Sequence, residues 1–279
     1  MKIDFCNSND KAYQSRLNRL LAPIFVDFGF WYDLDLWDAN YESYSIAENG
    51  EIVANLCVYK ARILLRGRHH NALSVGAVAT APGLRGRGLS RLLMEHVIAK
   101  YPDTPMYLFA NDSVLNFYPR FDFVRTYEKQ PVARYAIQNA VTPAKLELDN
   151  PKIWHYVHNR VNFSQEMDCL NTASINLFHL RHGYLSGRVY DIPALETIVV
   201  AEQNGDKLHI DAVFSLREIP FADLAVHLPF ANVNEIRFGF MPCWNDLEYE
   251  MVEYSGDPLF VRNFDCTLGD LKFPKLSET

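Results

Sequence analysis

The stretch that most constrains this chain is Leu73–Tyr101, LSVGAVATAPGLRGRGLSRLLMEHVIAKY. It begins over Leu73–Thr80 with small and β-branched residues, the composition of a buried strand. A loop with three glycines and two arginines follows, Ala81–Gly88. A helical run then places Leu89, Leu92, Leu93, Val97 and Ile98 on one apolar stripe. Strand, glycine-rich basic loop and helix start together make an anion site. The first N–H groups of a helix lack intrahelical partners, and the helix dipole adds partial positive charge there. Glycines let that backbone approach a phosphate closely, and Arg85 and Arg87 add charged, fork-shaped donors. Spacing excludes two common phosphate loops. No lysine follows the glycines as a Walker loop requires, and Gly83, Gly86 and Gly88 run G-x-x-G-x-G rather than GxGxxG.

What fits is R-x-x-G-x-(small), with Arg85, Gly88 and Ser90 in the three places. This resembles the acyl-CoA pyrophosphate loop of the GNAT acyltransferase superfamily, usually [Q/R]-x-x-G-x-[G/A]. Downstream, Asn111-Asp-Ser-Val-Leu-Asn-Phe-Tyr118 resembles that superfamily's second recurring segment, N-x-x-(S/A)-x-x-F-Y. Here Val114 stands for the small residue, Asp122 for the usual glycine, and Pro119 is an added departure. Asp tolerates a left-handed backbone better than most residues, so the turn survives.

The resemblance implies an α/β GNAT fold over residues 1–140, with a mixed, splayed central sheet flanked by helices. It implies that Val78, Ala79 and Thr80 pair through their backbone with the pantetheine arm of acetyl-CoA, the cosubstrate. Backbone N–H groups of Arg85, Gly86, Arg87, Gly88, Leu89 and Ser90 then hold the diphosphate, and Asn111 and Asn116 touch the pantetheine or cysteamine region. Tyr118, at the F-Y position, protonates the departing thiolate; a phenol of pKa about 10 suits that task. The plainer reading of Tyr118 is packing beside Phe117. The aromatic run Ile24–Trp37 reads as core, whereas the resemblance makes Trp31, Tyr32 and Trp37 acceptor contacts. The general base stays unassigned. Leu73–Thr80 carries no carboxylate, and Asp33, Asp35, His69 and His70 remain. The expected reaction is direct transfer to an amine, small molecule or peptide, without metal. The alternative is a CoA-binding regulatory protein without turnover.

Charge agrees with a localised polyanion. The 279 residues carry 27 Lys and Arg against 34 Asp and Glu, a net of −7. Residues 60–100 hold eight basic residues and one acid, leaving 19 basic against 33 acidic elsewhere. A basic island in an acidic chain suits a small polyanion better than nucleic acid, which asks for a basic face or domain. No apolar run approaches the roughly 20 residues that span a bilayer, and the N-terminus lacks a signal-peptide core. Five scattered cysteines without CxxC spacing read as reduced thiols. The expectation is a cytoplasmic protein with no membrane partner, whether monomer or homodimer.

Elsewhere, Asn49-Gly50 between apolar runs signals a hairpin. The histidine pair His69-His70 falls in an expected turn over Gly67–Asn71. Asn150-Pro151 reads as the cap and first residue of a helix running to Val161. Residues 196–214 form a second hairpin, turning at Gln203-Asn204-Gly205, and a helix (Phe221–Leu228) and a strand (Glu235–Phe240) come next. That order echoes the first half, so residues 141–279 read as a degenerate GNAT-like α/β region without a second CoA loop. Asn245–Tyr254 alternates as a strand with one charged face. His155/His158 and His179/His182, spaced i,i+3, read as structural or surface residues.

Overall fold

A computed structural model describes the chain apart from residues 1, 8–9, 140, 163, 183–184 and 265–267. After β1 (Ile3–Cys6), Asp10 starts α1 (Lys11–Leu21) by accepting the Tyr13 N–H at 3.0 Å. The short α2 (Gly29–Asp33) leads to β2 (Tyr41–Glu48) and β3 (Glu51–Leu65), joined through Asn49-Gly50 at φ 53° and 85°. A second turn of the same hand, Arg66-Gly67, opens β4 (Arg68–Thr80). His69 and His70 therefore lie on β4, paired with Leu64 and Ile63, rather than in a turn.

The central helix α3 (Leu89–Lys100) buries Leu89, Leu93, Met94 and Val97. Leu92 belongs to the exposed face, 43% accessible, and Met94 takes the core position expected of it. The chain continues through β5 (Met106–Phe109), β6 (Val124–Thr126) and β7 (Lys129–Ile137). Then come α4 (Pro151–Asn159), capped by Asn150 as expected, β8 (Met167–Cys169) and α5 (Ala173–Arg181). The second hairpin is β9 (Val189–Ile192), β10 (Thr197–Asn204) and β11 (Lys207–Ser215), with β10 and β11 meeting at Gly205-Asp206, one residue later than expected. Last are α6 (Phe221–His227), β12 (Val233–Phe238), β13 (Glu250–Glu253) and β14 (Leu259–Arg262).

Two mixed sheets result. The first runs β1-β2-β3-β4-β5-β14-β6, with β8 added on β3; the second runs β13-β7-β12-β11-β10-β9. Each contains one parallel pair bridged by a helix, β4–α3–β5 and β11–α6–β12. A division at residue 140 does not separate the sheets: β7 lies in the second, and β14 inserts between β5 and β6 of the first. Helices α1, α2, α4 and α5 share one core between the sheets, whereas α3 and α6 pack in separate cores.

Trp31, Tyr32 and Trp37, expected from the resemblance to face the acceptor, lie in that shared core at 3–5% exposure. Their rings pack on one another and on Tyr41, with Trp31 to Tyr41 centroids 4.9 Å apart. Each large ring buried this way contributes about 1.5–3 kcal/mol, so packing takes precedence over contact with solvent. The segment 245–254 is a strand only from Glu250. Trp244 and Leu247 turn into the core, and Asp246 accepts the Phe221 and Ala222 N–H groups at 3.1 and 2.9 Å, capping α6.

Candidate active site

The site begins where the first sheet comes apart. β4 pairs with β5 at Leu73–Met106 and Ser74–Tyr107, reinforced by the Leu73 N–H on Pro105 O at 2.8 Å. Beyond Ser74 the two strands diverge, while β4 stays paired with β3 through Thr80. The β5 side of Val75–Thr80 thus carries a row of backbone groups without a strand partner among the described residues.

That row is not straight. Cys57 faces Gly76 and Asn55 faces Ala79, so β4 has one residue more than β3 across this interval. The extra residue is accommodated at Ala77, with φ 48°, a conformation costing an L-residue about 1–2 kcal/mol. The Ala77 carbonyl accepts Asn55 Nδ2 at 3.1 Å. Asn55 is fully buried, and its Oδ1 accepts Ser43 Oγ at 2.7 Å and Ser45 Oγ at 2.9 Å. Both hydroxyls meet the Tyr13 hydroxyl from α1. A polar thread therefore runs from α1 through β2 and β3 to the bulge of β4.

Past Thr80 the chain enters the glycine–arginine loop. Gly86 and Gly88 sit at φ 78° and 77°, in the left-handed region, and no atom lies within 4 Å of where their Cβ would be. Backbone conformation, not space, requires glycine there. Gly88 directly precedes α3, whose N-terminus has no side-chain cap. Leu89 anchors this turn in the core, while Arg85, Gly86, Arg87 and Gly88 are exposed. Arg85 Nε donates to Thr80 O at 3.2 Å, Thr80 and Ser90 hydroxyls lie 2.8 Å apart, and Arg87 reaches Glu48 at 3.3 Å. The far end of α3 is tied down at Glu42, which meets Lys60, Lys100, Tyr44 and Tyr101. Burial would raise the Glu42 carboxyl, but those hydrogen bonds and the Lys100 charge hold it at about 2.

Opposite the loop, Asn111 accepts the Ser113 N–H at 3.0 Å and starts a single 3₁₀ turn. Pro119 divides the expected helix: a second 3₁₀ turn, Tyr118–Phe121, ends at Asp122 with φ 63°. Asn111 and Asn116 are exposed. Tyr118 is 6% exposed, its ring against Phe117, Phe123 and Phe260, and burial pushes the phenol up to about 12. It therefore keeps its proton at neutral pH. The core holding it also receives Val78 and Leu84, so the bulge, the loop and Tyr118 share one packing unit.

The face of β4 turned away from α3 meets the end of the chain. Thr279 packs over Gly76, and its hydroxyl lies 2.5 Å from Ser74 Oγ. The approach of this segment is fixed by Lys272, fully buried, with Glu128 and Glu278 carboxylates each at 3.0 Å. Burial opposes the lysine's charge, but the two carboxylates outweigh it and keep the ammonium protonated. Neither this segment nor Asn55 was singled out by sequence. The signal for Asn55 was present: one amide inside the otherwise apolar run Ile52–Val58. Among the described residues, no group of three His, Cys, Asp or Glu is placed to hold a metal.

Comparison with known proteins agrees with this geometry. Residues 30–125 match the model of an acetyltransferase (GNAT) domain. No curated protein matches the chain. Among solved structures, a conserved protein of Enterococcus faecalis V583, described as a probable N-acyltransferase, superposes with a TM-score of 0.58 at 13% identity, over 94% of this chain and 71% of its own. A GCN5-related N-acetyltransferase from Kribbella flavida gives 0.55 at 14%, over 94% and 71%. Eis1 from Mycobacterium abscessus gives 0.56 at 16%, over 94% and 73%. At such identities the likeness is one of fold.

Proposed function

We propose that the protein moves an acetyl group from acetyl-CoA directly to an amine, a reading supported by the match of residues 30–125 to an acetyltransferase (GNAT) domain. One observation carries the reading. The unpaired edge of β4 leads without interruption into Gly86 and Gly88 and the uncapped N-terminus of α3. An extended thioester arm can pair with such an edge, and a diphosphate can sit on such a helix start. The donors for the arm are the backbone of Val78, Ala79 and Thr80; those for the diphosphate are the N–H groups of Arg85–Ser90.

In the reaction, the amine nitrogen bonds to the thioester carbonyl carbon and the carbon–sulfur bond breaks. The proton the sulfur needs comes from Tyr118, whose raised pKa keeps the donor loaded, while the nitrogen sheds its proton to solvent and the tyrosinate regains one from solvent. No cysteine lies in the loop to accept the acyl group, which favours direct transfer in a ternary complex. Asn111, engaged by Ser113, and the exposed Asn116 remain candidate contacts for the arm.

Titration calorimetry with acetyl-CoA, followed by thiol release with a panel of primary amines, tests the proposal. Saturable binding and amine-dependent thiol release are expected, with Gly88→Val abolishing both. A second reading, CoA binding without turnover, draws on the absence of any carboxylate on Leu73–Thr80. Tight binding with no thiol release on any amine would establish it instead.

A further inference from the structure

We propose that Asn55 is a positioning residue for acyl transfer, its amide N–H holding the Ala77 carbonyl so that the bulge turns Val78–Thr80 toward the splay. The inference rests on the acyl-transfer reading above.

Three observations carry it. The bulge removes Ala77 from the β3–β4 register, and Asn55 Nδ2 supplies a hydrogen bond at 3.1 Å to its carbonyl. The amide has one workable orientation. Its oxygen is occupied by Ser43 and Ser45, themselves held by Tyr13, which leaves the N–H side for Ala77 and for Cys57 Sγ at 3.1 Å. The second sheet supplies the contrast. There β11 also has one extra residue, Asp211, between its pairs with Val200 and Ala201 of β10. The residue beside that bulge, on the face turned to the shared core, is the apolar Val200. That bulge has no left-handed residue, whereas the one at Ala77 does, and the amide clamp occurs at the left-handed one, where the strand runs into the glycine–arginine loop. Fixing the bulge fixes which backbone N–H groups face the reacting carbonyl, where small displacements cost rate rather than affinity.

The test uses full-length protein, acetyl-CoA and an amine that the wild type acetylates. Asn55→Val, the residue of the second bulge, is expected to lower kcat by about 10²-fold, with the KM for acetyl-CoA unchanged within about threefold. Asn55→Asp keeps the shape and the serine contacts but donates to Ala77 only when protonated. Its kcat should fall as pH rises, along a limb absent from the wild type. The titratable groups facing this position are Tyr13 on α1, Tyr41 on β2 and Cys57 on β3. Burial holds all three upward, so none supplies that limb. Wild-type kcat in both variants, or kcat and affinity falling together with the melting temperature, overturns the proposal. If the wild type itself acetylates no amine, the acyl-transfer reading fails. Amide exchange over Gly76–Thr80 then judges the clamp: faster exchange in Asn55→Val sustains it, and unchanged exchange refutes it.

Discussion

The two sheets each divide at a bulged strand, and what occupies the two divisions differs. In the first, β4 leaves β5 and meets a loop whose helix, α3, starts without a side-chain cap. In the second, β11 leaves β12 after Ile210, where Gly239 N–H bonds Ile210 O at 2.8 Å. There the next backbone partner is the chain itself: Lys275 N–H donates to Gly239 O at 2.7 Å, and the turn Lys275–Ser277 lies nearby. The N-terminus of α6, the counterpart of α3, is taken by the Asp246 carboxylate. Both sites that could receive an extended arm and an anion are thus filled from within in the second half. One architecture is left open or closed into a structural joint according to whether the chain supplies its own backbone segment and its own anion.

Four experiments press on that contrast. The largest effect is expected from Tyr118→Phe, which leaves the first division intact and removes the proposed proton donor. Steady-state kinetics should show kcat down about 10²–10⁴-fold, with acetyl-CoA affinity retained; full activity would remove Tyr118 from the reaction. Lys272→Met comes next. It leaves Glu128 buried without its cation and Glu278 with Lys275 alone, and denaturant unfolding should show a loss of about 3–5 kcal/mol as the segment filling the second division loosens.

A pair of glycine substitutions separates the halves more finely. A Cβ at Gly239 would lie 2.9 Å from the Asp211 backbone, so Gly239→Ala should cost about 1–3 kcal/mol of stability and leave acetyl-CoA affinity alone. A Cβ at Gly88 meets nothing within 4 Å but is held at φ 77°. Gly88→Ala should cost about 1–2 kcal/mol, expressed as weaker acetyl-CoA binding in calorimetry. The same response from both glycines would end the distinction between cleft and joint.

The smallest effect concerns pH. Glu42, which secures the far end of α3, has its pKa lowered from 4.5 to about 2 in the fold. Its stabilisation is complete above pH 4.5 and is lost as pH falls through about 2. Tyr118 acts at the other end of the scale: raised from 10.0 to about 12, it stabilises fully below pH 10 and ceases to as pH rises through about 12. Thermal melts of Glu42→Gln and Tyr118→Phe across the two ranges should flatten the respective limbs.

Much of the chain was legible where its signals are local. Asn49-Gly50 can form a hairpin from two residues' backbone preferences, and Asn150-Pro151 can start a helix from one side chain and one ring. The loop Arg85–Ser90 is recognisable because left-handed glycines and a helix start are properties of contiguous chain. The echo between the halves was also visible, through their matching order of hairpin, helix and strand. Less legible were residues whose role depends on a distant partner. Trp31, Tyr32 and Trp37 serve the core because Tyr41 and the helices between the sheets cover them. Asp246 looked like one charge on an alternating strand until α6 arrived to be capped.

Sequence alone determined the strand, loop and helix start proposed to hold an anion, since each depends on backbone propensity and on charges a few residues apart. Tertiary structure decided that β14 separates β5 from β6, that Asn55 reaches Ala77, and that Lys272 lies between two carboxylates. Asn55 and Ala77 are 22 positions apart, and Lys272 and Glu128 are 144 apart. Their energy comes from burial and hydrogen bonding available only after the sheets have assembled.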